Sequence, residues 1–384
     1  MNLLVIASYP RENEIHGQKT VGVASYTKNT IESLKKADPT IQVIIWSETN
    51  DTWKRNSISS LISLSKKLLS IDYDWLLLPH EFNMFGNPHT AIFFPVFLLI
   101  NKINNKKALL IIHQVVANFS DLSKHNNLPR HLIPLINTIA KIYYSTITHL
   151  TDKTIVFDQF LKDRLNFNKN TLVIPHAIES KKIQKNSTPK TFNILSFGYL
   201  AHYKGTDWLI NTFKNYLNSY PNNNISLTIA GGPNPNYLDK PHYQQYLKKI
   251  DEFGRHPQIK MTGFVNENNL DEIFAKSSLV ILPYRTAMSS SGPMALACSY
   301  HKPFILSNKL EPYTKTFDFK NILENNNLNS RDIIFDLTQS SFDSSINNLI
   351  KNPSKLKTLS QISTDLERQR SWPNIAKKYL EILN

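Results

Sequence analysis

One cysteine, Cys298, stands in the whole chain. It cannot form an internal disulfide, so a cystine-stapled scaffold is excluded and a reducing cytosol is the expected compartment. Long hydrophobic runs are missing too. The most apolar stretch, AIFFPVFLLI from Ala91 to Ile100, falls well short of the ~20 residues that span a bilayer. It reads as a buried helix or strand, or else as a segment lying on a membrane surface. The opening MNLLVIASYP lacks the basic region and the apolar length of a secretory signal. No Cys/His spacing suits a metal, and there is no Gly-rich Walker loop. No dense Lys/Arg run with interleaved aromatics marks a nucleic-acid groove.

What is present is a globular composition, with 41% apolar and 19% charged residues in 384 positions. That length accommodates two domains with two cores. The formal charge of +14 favours anionic partners: nucleic acid, acidic lipid headgroups or phosphorylated small molecules. The lysines are spread along the chain, often beside asparagine, and solvated lysine faces account for most of the excess.

Short apolar runs recur with helical stretches between them. They begin at Leu3, Gln42, Asp74, Ala108, Thr154 and Leu172, and again at Asn193, Ile225, Gln258, Leu279 and Pro303. They are continuous rather than alternating, as in strands buried on both faces. The alternation of strand and helix implies parallel sheets covered by helices. A polar stretch with Pro189 interrupts the pattern. The expected organisation is α/β with two doubly wound, Rossmann-like domains, 1–180 and 193–370, joined by a linker at 181–192. A terminal helix at 371–384 can pack back on either domain, with Pro373 where a helix can begin.

Ligands of open α/β sheets bind beyond the carboxyl ends of the strands. The run LVILP exits into PYRTAMSSSGPMALA, from Pro283 to Ala297. Pro293 suits the first turn of a helix, and Ser291 or Gly292 its cap. Several N–H groups and hydroxyls at a positive helix end suit a phosphate, although a plain Ser-capped helix would look the same. Lys204 precedes Gly205 at another helix start, where a cation opposes the macrodipole and is tolerated beside an anion, or is simply solvated. His113 ends one strand run. His80 with Glu81 follows another, and the three form a weak polar cluster on the same cleft.

Taken together, FGYLAHYKGTDWLI, LTIAGG, GFVNENNLDEIFAKSSLVILPY and KPFILS resemble, in order, the second half of a GT-B fold glycosyltransferase of family 4, the retaining nucleotide-sugar transferases. VGVASYTKNTIESL, LLPHEFNMFG, LLIIHQVV and LVIPHAIE resemble its first half, and SWPNIAKKYLEIL resembles the helix that crosses back to the first domain. The family usually places two glutamates around the loop after Pro283. Met288 and Leu296 stand at those positions here, and the loop is similar to a variant with Pro-Tyr-Arg followed by a Ser-Gly turn. Asp72 and Asp74 mimic a metal-holding aspartate pair of another class of sugar transferases. They precede a strand, at the wrong end for a site, and read as a turn.

The resemblance implies transfer of a sugar from a nucleoside-diphosphate sugar, UDP or GDP, to an acceptor hydroxyl on a glycan or lipid-linked glycan, with retention. It implies that Lys204, Ser289, Ser290, Ser291, Gly292 and Arg285 hold the donor diphosphate and that Gly22 approaches it from the other domain. His113 would sit near the transferred sugar, as a catalytic residue with Lys204, and His80 with Glu81 near sugar or acceptor. Phe264 and Val265 would line the base pocket. No cofactor and no metal is expected. The expected location is cytoplasmic, with peripheral contact on the anionic inner membrane face, and nucleic acid is not an expected partner. The loss of both glutamates leaves a non-catalytic GT-B protein, binding a nucleotide or glycan or supporting a partner transferase, as the alternative.

Overall fold

The computed structural model describes residues 1–10, 22–81, 84–86, 88–116, 118–122, 129–165, 170–181, 191–287 and 291–384. Its first half builds a six-stranded parallel sheet from β1 (Asn2–Ile6), β2 (Gln42–Trp46), β3 (Trp75–His80), β4 (Lys107–Ile112), β5 (Lys153–Val156) and β6 (Thr171–Val173). The order is β2-β1-β3-β4-β5-β6. Leu3 to Ile6 and Ala108 to Ile112 are wholly buried, because helices cover both faces and leave no face for polar alternation. Edge strand β2 alternates exposed and half-buried positions instead, and only Trp46 at its end is buried.

Helix α1 (Gly22–Ala37) carries the chain from β1 leftward to β2. Helices α2 (Ile58–Leu68), α3 (Phe93–Ile103), α4 (Ile133–His149) and α5 (Gln159–Leu165) make the rightward crossings. Right-handed crossover therefore puts α1 on one face of the sheet and α2 to α5 on the other. Ser57 caps α2 by accepting from the Ser60 N–H at 3.3 Å, which satisfies one orphan donor of the first turn. The stretch Ala91–Ile100 forms the end of a 3-10 turn and most of α3. Phe93, Phe94, Phe97 and Leu98 enter the first core, so most of this segment is packing.

The second half repeats the design with β7 (Phe192–Phe197), β8 (Ile225–Ala230), β9 (Ile259–Gly263), β10 (Leu279–Leu282), β11 (Phe304–Ser307) and β12 (Ile334–Phe335). The order is β12-β11-β10-β7-β8-β9. Helices α6 (Thr206–Ser219) and α7 (Pro241–Gly254) cross one way. Helices α8 (Leu270–Ala275), α9 (Gly292–Ser299) and α10 (Phe317–Asn325) lie on the way back, followed by α11 (Gln339–Lys351) and α12 (Pro353–Gln369). Each half has its own core. Most of the expected linker, 182–190, lies outside the described residues.

The chain crosses between the halves at two adjacent points. The Ile178 N–H donates to the Arg370 carbonyl at 2.8 Å, and Ile178 bridges Ser371 in parallel fashion. Beyond them α13 (Trp372–Leu383) packs on α1 in the first half. Tyr379 and Tyr26 share a hydroxyl hydrogen bond of 3.0 Å, and Trp75 Nε1 donates to the Leu383 carbonyl at 2.8 Å. Ile375, Ala376, Tyr379 and Leu383 belong to the first core. No helix among the described residues is long and apolar enough to cross a membrane.

Candidate active site

The second sheet reverses direction between β7 and β10. These strands are neighbours, but β7 continues to β8 on one side and β10 to β11 on the other. Their exits diverge and leave a crevice at the switch point. Lys204 follows β7 and the Pro283–Gly292 loop follows β10.

Three glycines draw the strand exits together. Gly198 leaves β7 with φ +111°; a Cβ there would lie 2.8 Å from Lys204 Nζ and 3.1 Å from Pro293 Cγ. The ammonium and the first turn of α9 thus flank the same bare backbone. Gly205 has φ +73°, and a Cβ would meet the Pro283 carbonyl oxygen at 2.1 Å. Gly231, after β8, approaches the Gly198 carbonyl equally closely. Only glycine fits such contacts, and at Gly198 and Gly205 the positive φ as well. Gly205→Val is therefore expected to cost about 2 kcal/mol or more and to pull the Lys204 turn away from β10. A lowered urea midpoint with unchanged slope checks it; an unchanged midpoint contradicts it.

Lys204 ends a 3-10 turn, His202–Lys204. Its Nζ lies 5.9 Å from the Tyr284 ring centroid. Burial pulls its ammonium down to about 8, because desolvation disfavours the charged form. Beside it, Ser291 caps α9 and its hydroxyl accepts from the Met294 N–H at 3.3 Å. No atom of the described residues comes within 4 Å of a Cβ built at Gly292. Met288, Ser289 and Ser290 lie outside the described residues.

Arg285, expected at the diphosphate, is committed to protein partners. Its guanidinium donates to both Asp207 oxygens, at 2.8 and 3.0 Å, and to the His202 carbonyl at 2.6 Å. Its N–H donates to the Tyr203 carbonyl at 2.7 Å. Burial pushes the Asp207 carboxyl up, but the hydrogen bonds and charge of Arg285 outweigh it and hold the group below its ordinary value. The bidentate pair fastens the Lys204 turn to the β10 exit and to the start of α6.

On the other side of β7, Tyr199 stacks on Phe264, with ring centroids 6.4 Å apart and planes at 27°. Phe264 follows β9 and remains 40% exposed. Val265 packs on the second core. Gly232 lets the β8 exit pass beside the Phe264 backbone, where a Cβ would sit 3.0 Å from its nitrogen. The result is an exposed aromatic shelf next to the Lys204 crevice.

In the first half, His113 ends up just past β4, edge-on to Tyr26 at 5.1 Å and to Phe157 at 4.9 Å. Its Nε2 is buried with no hydrogen-bond partner among the described residues. Burial, then the nearby His176 and His80, holds its pKa well below the ordinary value, so the ring is neutral. His80 departs from its expected place at sugar or acceptor. It is 1% exposed, its Nε2 is 2.9 Å from the Tyr143 hydroxyl, and its ring packs on Phe94 at 4.6 Å. Burial drives its pKa to about 3. It is a core histidine whose Nε2 is bonded to Tyr143. Glu81 stays at the sheet's carboxyl edge, half-buried, and burial raises its pKa against the opposing effect of Arg55. Gly22 opens α1.

Sequence reasoning missed Tyr199, Asp207 and Arg164. Arg164, on α5, donates to the Val115 carbonyl at 3.0 Å and to the Ala287 carbonyl at 3.3 Å. A first-half cation thus touches the β10 exit loop of the second half. Asp72 pairs with Lys106 at 2.8 Å, and Asp74 accepts from the Asn2 N–H at 2.7 Å. Both lie at strand starts, away from the crevice. Among the described residues no group of three or more His, Cys, Asp or Glu is placed to hold a metal.

Residues 177–362 match the family described as Glycosyl transferases group 1. Over that stretch, just under half of the chain, it is similar to the group 1 glycosyltransferases. The match covers the second sheet with its Lys204 crevice, its aromatic shelf and α9. Solved GT-B structures align over almost the whole chain. Sucrose-phosphate synthase (tll1590) from Thermosynechococcus elongatus superposes with a TM-score of 0.68 at 12% identity, over 99% of this chain and 98% of that one. The trehalose-6-phosphate synthase OtsA gives 0.69 at 11%, over 100% and 99%. Anabaena Alr3699/HepE, solved with UDP-glucose, gives 0.65 at 13%, over 100% and 99%. At such identities the likeness shows the fold, and that fold is GT-B: two parallel-sheet halves with the group 1 match in the second. No curated protein matches the chain in sequence.

Proposed function

We propose that this protein transfers a sugar from a nucleoside-diphosphate sugar to an acceptor hydroxyl, on a glycan or lipid-linked glycan, with retention at the anomeric carbon. The observation that carries the reading is the convergence of Lys204 and the α9 N-terminus on Gly198, at the switch point of the second sheet and within the group 1 match. A leaving diphosphate gathers negative charge on its oxygens. A fixed ammonium and a helix end stabilise that charge more than they stabilise the bound ground state. Lys204 supplies a full charge, held in place by the Arg285–Asp207 pair beneath its turn. This neutralisation needs no metal. The Tyr199–Phe264 shelf offers a flat apolar surface for a nucleobase. Neutral His113, with a buried unpartnered nitrogen, suits a hydrogen bond to a sugar hydroxyl from the first half. UDP is the favoured nucleotide: the Anabaena relative was solved with UDP-glucose.

A non-catalytic GT-B protein is the second reading. Leu296, on α9 where the family usually has a glutamate, is half-buried and packs on the second core. One experiment separates the two. In a thermal-shift panel of UDP-, GDP- and ADP-sugars, a true donor at about 100 times its dissociation constant should add roughly 2.7 kcal/mol. Slow donor hydrolysis by the same preparation supports the transferase; donor binding without hydrolysis or transfer to any supplied acceptor supports the second reading. Indifference to all three donors sinks the transferase reading and leaves of the second only a GT-B protein that binds a glycan or supports a partner transferase.

A further inference from the structure

We propose that the outer face of α3 and α4 docks the protein on an anionic lipid bilayer. Helix α4 is apolar on both sides. Ile133, Ala140, Tyr144 and Ile147 are buried against the rest of the first half. On the opposite side, Leu135, Ile139 and Ile142 recur at helical spacing and are 59%, 58% and 61% exposed. Leu132, in the turn before α4, extends the stripe. A helix apolar all round is normally covered on all sides. Neighbouring α3 adds Leu99 and Ile103, also exposed. Surface apolar residues are ordinary when scattered, but a contiguous patch marks an interaction site.

Charge identifies the occupant. Residues 88–107 and 129–150 contain no aspartate or glutamate. Lys102, Arg130 and Lys141 are exposed on and beside the two helices. An apolar stripe beside exposed cations, on helices that carry no carboxylate of their own, is the surface an interfacial helix presents to acidic headgroups. A second copy fits poorly: two such faces, laid together by a two-fold axis, would bring the cations of both helices against each other with no carboxylate on either helix to pair them. Each cation near an anionic surface strengthens binding about fivefold, and salt removes that gain.

The placement also suits the transferase reading, although vesicle binding can be tested without it. Helices α3 and α4 begin at the carboxyl edge of the first sheet, where β3 and β4 deliver Glu81 and His113. The stripe therefore starts beside the cleft, and a protein lying on this face would hold that edge close to the headgroups.

The test is sedimentation of the full chain with phosphatidylcholine vesicles, with and without phosphatidylglycerol, at low and high salt. Wild type should pellet only with the anionic vesicles, and only at low salt. Leu135→Gln/Ile139→Gln/Ile142→Gln should weaken this roughly tenfold or more, with an unchanged circular dichroism spectrum and unchanged donor thermal shift. Lys102→Glu/Lys141→Glu should weaken it as well while leaving the apolar stripe intact. Failure of wild type to pellet, or equal pelleting by the triple variant, overturns the proposal. So does a wild-type dimer that the triple variant abolishes, since a second copy would then be the occupant. A vesicle result of either kind leaves the donor panel, and hence the transferase reading, to stand or fall on its own.

Discussion

Arg370→Leu should lower the stability of the second half by about 3–5 kcal/mol, the scale for breaking a buried ion pair from one side. Arg370 is 3% exposed and stands where the chain crosses back to the first half. Its guanidinium donates to Asp318 at 2.6 and 3.0 Å and to the Thr316 hydroxyl at 2.9 Å. Asp158, buried at the exit of β5, feels the same charge. Burial raises the Asp158 carboxyl to about 7 against the pull of Arg370, with Asp318 adding to the rise. Leucine would leave Asp318 buried without its partner and would remove the charge that opposes further protonation of Asp158. The discriminating variant is Arg370→Leu/Asp318→Leu. Removing both ions also removes both desolvation costs, so the double variant should be more stable than the single. Urea unfolding followed by a second-half tryptophan such as Trp208 reads both. A single variant as stable as wild type, or more stable than the double, would show that the pair does not hold this junction.

Much of the architecture was legible because buried parallel strands leave a plain mark. The runs at Leu3, Ala108 and Leu279 are apolar on consecutive residues, and each became a central strand with almost no exposed surface. The restart at Asn193 gave away the second sheet. The crevice was legible only in part. Lys204 and the α9 start could be paired because both follow strands that a doubly wound sheet brings to one edge. Their partners were not legible. Asp207 reads as an ordinary acidic residue in a first helical turn, and nothing local ties it to Arg285, 78 positions away. Tyr199 and Phe264 stack only because three strand exits, eased by Gly198, Gly231 and Gly232, pass close together. His80 shows the opposite failure. A histidine at the end of a strand reads as facing a cleft, but its side chain points to the helix layer, where Phe94 and Tyr143 enclose it.

Lys204→Ala should reduce turnover by roughly 10²–10³, the usual loss for one preorganised donor, or about 2.7–4 kcal/mol. The fold should survive, since the turn is held by Arg285, Asp207 and the Gly205–Pro283 approach rather than by the lysine side chain. Turnover should fall more than donor affinity, because charge on the diphosphate grows as the sugar departs. The pH dependence has a definite sign. In the free protein burial holds the Lys204 ammonium down to about 8, below its ordinary value of 10.5. Below pH ~8 both folded and unfolded chains carry the proton, and burying the charge costs stability. Between ~8 and ~10.5 the unfolded chain binds more protons, so this group's contribution to stability rises with pH. A bound diphosphate favours the charged form and raises the pKa of the complex. Above pH ~8 binding must then take up a proton, and donor affinity should decline by up to tenfold per pH unit until the pKa of the complex is reached. Lys204→Ala should bind weakly at every pH and lose that slope. Isothermal titration in two buffers of different ionisation enthalpy counts the proton directly. Near wild-type turnover in a folded Lys204→Ala preparation, or a donor affinity whose slope above pH 8 is the same in wild type and variant, would move the diphosphate away from this crevice.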